Sequence, residues 1–336
     1  MAASPDLAPQ SHGGDLAAAR KLFPGAPEPF LDLSTGINPN PYPAGQLDRD
    51  ALTRLPQPEA LARLATIAAA TYGAPSPAHV AVAPGSQILV AQTAFILTRG
   101  RASIFAPTYS EHRRAAELAG HSVVEAADIG ELAEARLAIV VNPNNPDGRI
   151  LAKDTLLALS DRLRRRGGLL LVDEAFMEVG PAEASLCEYV EQGNIVVLRS
   201  FGKFYGLAGL RLSFAIAPPA IATRIAAALG PWPVSGAALA IGAEALADAA
   251  WREKTRAALA EAALRLDASL VRTGLEVIGG TSLFRLVRTP DATQHFHRLG
   301  ERGVLVRRFD RQPTWLRFGL PGDEDDWQKL AGALAS

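Results

Sequence analysis

The chain has 336 residues, 48% of them hydrophobic and 21% charged, and its formal net charge is -1. That is enough chain to bury a sizeable core and more than one typical domain needs, so two lobes are expected. A charge so near zero gives no reason to expect nucleic acid or an anionic membrane surface as partner.

The first fifteen residues, MAASPDLAPQSHGGD, lack a basic start followed by an apolar run and do not read as a signal peptide. No uninterrupted apolar stretch reaches the roughly 20 residues a membrane-spanning helix needs, because Arg, Pro or Asp breaks each candidate. A soluble protein is expected. The single Cys187 cannot form an internal disulfide, which fits a reducing, cytoplasmic compartment. It sits in CEYVEQGN without an obvious base, so it does not read as a nucleophile.

Residues 1–45, rich in Pro and Gly, read as an irregular arm. Helical patterns follow at 59–72, 86–98, 109–119 and 153–166, and strand-like runs at 102–106, 137–141, 168–173, 195–199 and 210–217. Runs such as LAIVV and GLLLV, apolar at every position and separated by helices, predict a mostly parallel sheet inside an α/β layer structure. The Ala- and Leu-rich segment 235–272 reads as a helix pair broken near 250. Strands at 281–288, 304–309 and 315–320, with helices at 290–302 and 322–335, suggest a smaller α+β lobe. The expected division is an arm over 1–45, a large domain over 46–230 and a small domain over 231–336.

Four motifs carry chemistry. In APGSQ, at 83–87, the Gly85-Ser86 turn at a helix start offers free N–H groups to an anion, or simply caps the helix. NPNNPDG at 142–148 forces a turn after LAIVV, with Asn side chains that can bond a ligand or the loop backbone. GLLLVDEAFME at 168–178 ends too apolar a run for Asp173 to be exposed. A buried carboxylate needs a partner, and a protonated pyridine nitrogen, a metal or a helix end would each serve. In SFGKFYGLAGLR at 200–211, Lys203 follows the carboxyl end of a strand, where open α/β sheets place ligands. Ser200 and Arg211 bracket it with groups suited to a phosphate.

In this serial order, with Tyr109 after a Pro-Thr pair, the motifs resemble the class I/II aminotransferase superfamily of fold-type I pyridoxal-5′-phosphate (PLP) enzymes over nearly the whole chain. The resemblance implies a large α/β/α domain with a mostly parallel sheet and a smaller α+β C-terminal domain. It implies that Gly85, Ser86, Gln87, Ser200 and Arg211 bind the cofactor phosphate, with Tyr109 on one ring face and Ala175 on the other. Asn145 would bond the phenolate oxygen, Asp173 would pair with the ring nitrogen, and Lys203 would hold the cofactor as a Schiff base. Lys203, Asp173 and Tyr109 are the implied catalytic residues, no metal is expected, and a homodimer is.

Two branches of the superfamily act on amines that carry a phosphate: the histidinol-phosphate aminotransferases and the threonine-phosphate decarboxylases of cobalamin biosynthesis. SHGGD at 11–15, LDLSTGINPNPYP at 31–43 and PWPVS at 231–235 resemble the decarboxylase branch. By that resemblance His12, Gly13, Asn38 and Asn145 contact a phosphorylated amino acid substrate. Arg307 and Arg317, on neighbouring strand-like runs, supply guanidinium forks for its anionic groups. Arg308 alternates to the other strand face. The expected reaction is decarboxylation of threonine phosphate to aminopropanol phosphate, with transamination as the alternative and a silent paralogue as a remote one. Phe176, Leu55 and Gly202 depart from the usual Tyr, Tyr and Thr of relatives.

Overall fold

Residues 12–192 and 194–335 are described in the computed structural model. They fall into two units: Tyr42–Asn145 with Arg149–Arg252, and 12–41 with Pro146–Gly148 and 253–335. The contacts therefore divide at positions other than the expected 45/46 and 230/231.

The chain opens with α1 (Leu16–Leu22), β1 (Leu31–Leu33), α2 (Asp50–Thr53), α3 (Pro58–Tyr72), β2 (Val80–Ala83) and α4 (Ser86–Phe95). Next come β3 (Arg101–Phe105), α5 (Glu111–Leu118), β4 (Ser122–Ala126), β5 (Leu137–Val141), α6 (Lys153–Arg164) and β6 (Leu169–Asp173). After these stand β7 (Ile195–Ser200), α7 (Phe201–Phe204), β8 (Ser213–Ile216), α8 (Pro219–Leu229), α9 (Gly236–Ala247) and α10 (Ala249–Arg272). The chain ends with β9 (Glu276–Thr281), β10 (Phe284–Arg288), α11 (Ala292–Glu301), β11 (Val304–Arg308), β12 (Trp315–Gly319) and α12 (Glu324–Leu334). The expected helix break near 250 is real: α9 stops at Ala247, and the Asp248 carboxylate accepts from the Trp251 N–H at 2.9 Å to start α10.

The first unit is built on a seven-stranded sheet ordered β2-β8-β7-β6-β5-β3-β4. Only β8 runs against the rest, pairing antiparallel with both β2 and β7. One face packs Ile104, Ile139, Leu171, Val196 and Leu198 against Leu89 and Val90 of α4, Ala115 and Ala116 of α5 and Ile225 of α8. On the other face Tyr72 of α3 meets Phe214 of β8, ring centroids 5.5 Å apart. Burial on both faces is what the unbroken apolar runs of the central strands required.

The second unit carries a five-stranded sheet ordered β1-β11-β12-β10-β9. Here the expectation of an irregular arm fails. Leu31–Leu33 pairs parallel with Val304–Val306, and α1 is capped by the Asp15 carboxylate, which accepts from the Ala18 N–H. A strand three residues long among prolines has no periodicity of its own, and its partner lies at the far end of the chain. Residues 1–11 of the expected arm lie outside the described residues. Among the described residues, no helix is long and apolar enough to cross a membrane.

Candidate functional site

β2, β3, β5, β6 and β7 all point the same way, so the segments that leave their carboxyl ends converge on one edge of the sheet. Those segments carry Gly85 to Gln87, Tyr109, Asn145, Asp173 with Ala175, and Ser200 with Lys203. Arg211 joins them from the turn that enters β8, whose antiparallel course starts at the same edge. Every residue expected to bind the cofactor thus lies in the first unit and on this edge.

Gly85 precedes α4 with φ +91 and ψ 153. A Cβ there would stand 2.4 Å from Arg211 Nη2 and 3.0 Å from its Cζ, so the guanidinium lies directly over the glycine. The first N–H groups of α4, Ser86 and Gln87, have no partner within the helix by position and sit at the positive end of its dipole. Arg211 itself adopts φ 53 and ψ 58, one of only two non-glycine residues with positive φ among those described. Such backbone strain is stored where a side chain has to be held in one place. Ser200 is buried at the end of β7, and Lys203 is half-buried on α7, one turn further on.

Asp173 is 5% exposed, and each of its carboxylate oxygens has a hydrogen-bond partner while keeping a lone pair to accept another. Oδ1 accepts from the Ala175 N–H at 3.0 Å, and Oδ2 lies 2.9 Å from Nε2 of His112, which is completely buried in α5. His112 escapes a reading of the sequence alone, as does Glu111 beside it. The signal for both is their shared buried face with Ala115 and Ala116, one turn apart along α5. Glu111 Oε2 accepts from Gln87 Nε2 at 2.8 Å and pairs with Arg114 Nη1 at 3.3 Å, while Gln87 Oε1 accepts from the Tyr109 hydroxyl at 3.3 Å.

Behind Asp173 the sheet buries a second ionic group. Arg199 on β7 pairs with Glu174 at 2.8 Å and with Glu178 at 3.3 Å, and lies 4.5 Å from the centre of the Tyr72 ring. Burial pushes the Glu174 carboxyl up despite the Arg199 guanidinium beside it. Burial, with Glu178 nearby, likewise holds the Tyr205 phenol well above its usual range. Asn142 and Asn144 brace the loop: Asn142 exchanges bonds with the Leu151 backbone, and Asn144 bonds Thr108 and the Pro107 carbonyl.

In the second unit, Gly13 lies against the loop after β1. A Cβ at 13 would be 2.3 Å from the Ser34 carbonyl oxygen, the same oxygen that accepts from Arg317 Nη2 at 2.8 Å. His12 is exposed at the head of this turn. Asn38 is buried, and its Oδ1 accepts from the Asn40 N–H at 2.9 Å. Arg307 stands directly opposite Arg317 across the antiparallel β11–β12 pair, so both side chains project from one face. Arg308 takes the other face, 3.6 Å from Asp310.

A groove of about 860 Å³ lies between α2, α3 and α9 and is lined by none of these residues. Ala51, Leu55, Ile67, Leu239 and Ala243 are among its walls. Leu55, at its rim, is 60% exposed.

Residues 35–334 match the family described as Aminotransferase class I and II. The chain is 44% identical over 333 residues to a threonine-phosphate decarboxylase of a Sinorhizobium species, covering 98% of each. It is 40% identical to the threonine-phosphate decarboxylase of Pseudomonas aeruginosa, covering 96% of each. Among solved structures, the histidinol-phosphate aminotransferase of Sinorhizobium meliloti in complex with pyridoxal-5′-phosphate superposes with a TM-score of 0.82 at 21% identity, covering 99% of this chain and 98% of that one.

Proposed function

This chain belongs to the aminotransferase class I and II family, and from that premise we propose that it is a PLP-dependent decarboxylase of threonine phosphate. The observation that carries the reaction is the likeness, end to end and at 44% identity, to a threonine-phosphate decarboxylase. The product would be aminopropanol phosphate, a building block of cobalamin synthesis.

The donor set fits the cofactor. The glycine cradle under Arg211, the α4 N–H groups and Ser200 suit a phosphate dianion. Asp173, fixed by His112 and the Ala175 N–H, offers a buried carboxylate to a protonated ring nitrogen. Bound there, the cofactor supplies an electron sink for the bond that breaks at the substrate's α-carbon.

The chain's own residues supply the rest. Lys203 Nζ would hold the cofactor covalently and release it to the substrate amine. Tyr109 and Ala175 would confine the ring from its two faces, and Asn145 would bond its oxygen. Arg307 and Arg317 would hold the substrate's anionic groups with His12, Gly13 and Asn38. Two guanidinium groups directly opposite on one sheet face repel each other, and an anion relieves that repulsion. Carbon dioxide leaves, and a proton takes its place on the α-carbon. The exposed apolar rim of the α2–α3–α9 groove is the surface by which two copies would form a homodimer. Work in the cytoplasm is proposed on the single Cys187, which has no second cysteine in the chain to form a disulfide with.

Purified protein should be yellow, and borohydride should fix the cofactor on Lys203, seen as a mass increase on the peptide that contains it. It should release carbon dioxide from threonine phosphate. Transamination of histidinol phosphate without any such release would refute the decarboxylase reading.

A further inference from the structure

Glu111 is 4% exposed, and nothing in the reaction as described uses it. It is the first residue of α5, where an acid commonly serves the helix dipole. Here its Oε2 instead receives Gln87 Nε2 at 2.8 Å, from the start of α4. The opposite end of that amide, Gln87 Oε1, receives the Tyr109 hydroxyl at 3.3 Å. The chain Arg114–Glu111–Gln87–Tyr109 therefore joins the phosphate cradle to the residue expected on the ring face.

The direction of this chain follows from its chemistry. An ionised carboxylate only accepts hydrogen bonds, so it turns the NH₂ of Gln87 toward itself. An amide so turned presents its oxygen to Tyr109, and the phenol must then donate. Arg114 Nη1 stands 3.3 Å from the same Oε2 and closes this end of the chain. We propose that Glu111 is a positioning residue of the cofactor site: through the Gln87 amide it sets the donor direction of the Tyr109 hydroxyl and the place of its ring. Gln87 then serves an anion through its backbone N–H, since its side chain is committed at both ends. The inference rests on the PLP reading and deepens it.

The test compares parent, Glu111→Ala, Glu111→Gln, Tyr109→Phe and the Glu111→Ala/Tyr109→Phe pair as apoproteins. PLP affinity is read from quenching of intrinsic fluorescence, and ring placement from the circular dichroism induced in the cofactor band. Losing a hydrogen bond to a charged group predicts about tenfold weaker binding in Glu111→Ala, with a reduced dichroic band. In the Tyr109→Phe background, which lacks the hydroxyl, the same change should cost less than about twofold. Equal losses in both backgrounds, or parent-like affinity and dichroism in Glu111→Ala, overturn the proposal. Should Glu111→Ala fail to fold by apoprotein melting, Glu111→Gln carries the test. It keeps the shape but lets the Gln87 amide turn either way, so parent-like values in it overturn the proposal as well. A parent that binds no PLP sinks the cofactor reading itself, whereas a parent that binds beside indifferent Glu111 variants sinks this inference alone.

Discussion

Adding one methyl group at Gly85 tests the phosphate cradle most directly. The backbone at φ +91 and ψ 153 lies where glycine alone sits without strain, so Gly85→Ala costs about 1–3 kcal/mol in the fold. The new Cβ would also come within 2.4 Å of Arg211 Nη2. That atom is the far end of a flexible side chain, and the chain can relieve the clash by swinging the guanidinium aside. The fold thus loses little from the clash, and the phosphate loses its fork of donors. A charge-assisted hydrogen bond is worth about 1.5–3 kcal/mol, which is roughly 10- to 100-fold in the dissociation constant for PLP. Thermal unfolding of the apoprotein reads the first cost, and fluorescence titration with PLP reads the second. If the loss of affinity passes through Arg211, then Gly85→Ala added to Arg211→Ala should weaken binding by less than about twofold more. Binding by Gly85→Ala within twofold of the parent would show that Arg211 does not need to lie over residue 85, and the cradle argument would fall.

Three further outcomes follow from other parts of the molecule. Tyr42, its phenol pushed up to about 12 by burial and then by Glu244, and Tyr72 and Tyr205, raised by burial and then by Glu178, hold their protons past the ordinary phenol range. The fold favours the neutral phenols, so this stabilisation is full below a pH of about 10 and is lost as pH rises through the folded values. Rapid ultraviolet titration to pH ~11 should therefore miss the tyrosinate signal of three residues; all five of the chain's tyrosines ionising together near pH ~10 would contradict it. Arg307→Gln and Arg317→Lys should each raise the KM for threonine phosphate about tenfold or more while the affinity for PLP stays put, and an unchanged KM in both would remove them from substrate binding. Leu55→Asp, placing a charge on the rim of the α2–α3–α9 groove, should shift sedimentation from dimer to monomer; a dimer that persists would send the interface elsewhere.

Much of the first unit was legible because its signals are local. A run such as LAIVV or LLLVD is buried on both faces, and each is followed within a few residues by the loop that bears chemistry. What could not be read is which loops become neighbours. His112 serves Asp173, and Glu111 serves Gln87, only because β3, β5 and β6 lie side by side in the sheet and bring α5 over the strand end. Gly202 is a similar case. Nothing local in the sequence asks for a glycine there, but a Cβ would lie 2.7 Å from Ala208 Cα, so the turn that returns to Arg211 closes onto the bare backbone of residue 202. Phe176 is buried, and nothing in the structure explains a phenylalanine where the resemblance leads one to expect a tyrosine.

The division of the chain bears on how one family can host two reactions. Gly85, Ser86, Gln87, Tyr109, Asp173, Ala175, Ser200, Lys203 and Arg211 all belong to the first unit, whereas His12, Gly13, Asn38, Arg307 and Arg317 all belong to the second. In the proposed reading, electron withdrawal would come from the first set in either reaction, and the bond that breaks would be set by how the second set holds the substrate. Asn145, expected to serve both substrate and cofactor, is the last residue of the first unit before Pro146–Gly148 passes into the second. There the Asp147 carbonyl accepts from the Gly280 N–H at 2.8 Å, and a Cβ at Gly148 would collide with the Gly280 backbone. The chain on one side of Asn145 is thus clamped to β9, and on the other side it continues from β5. Asn145, which we propose serves both substrate and cofactor, thus stands at a point where the chain passes from the first unit to the second.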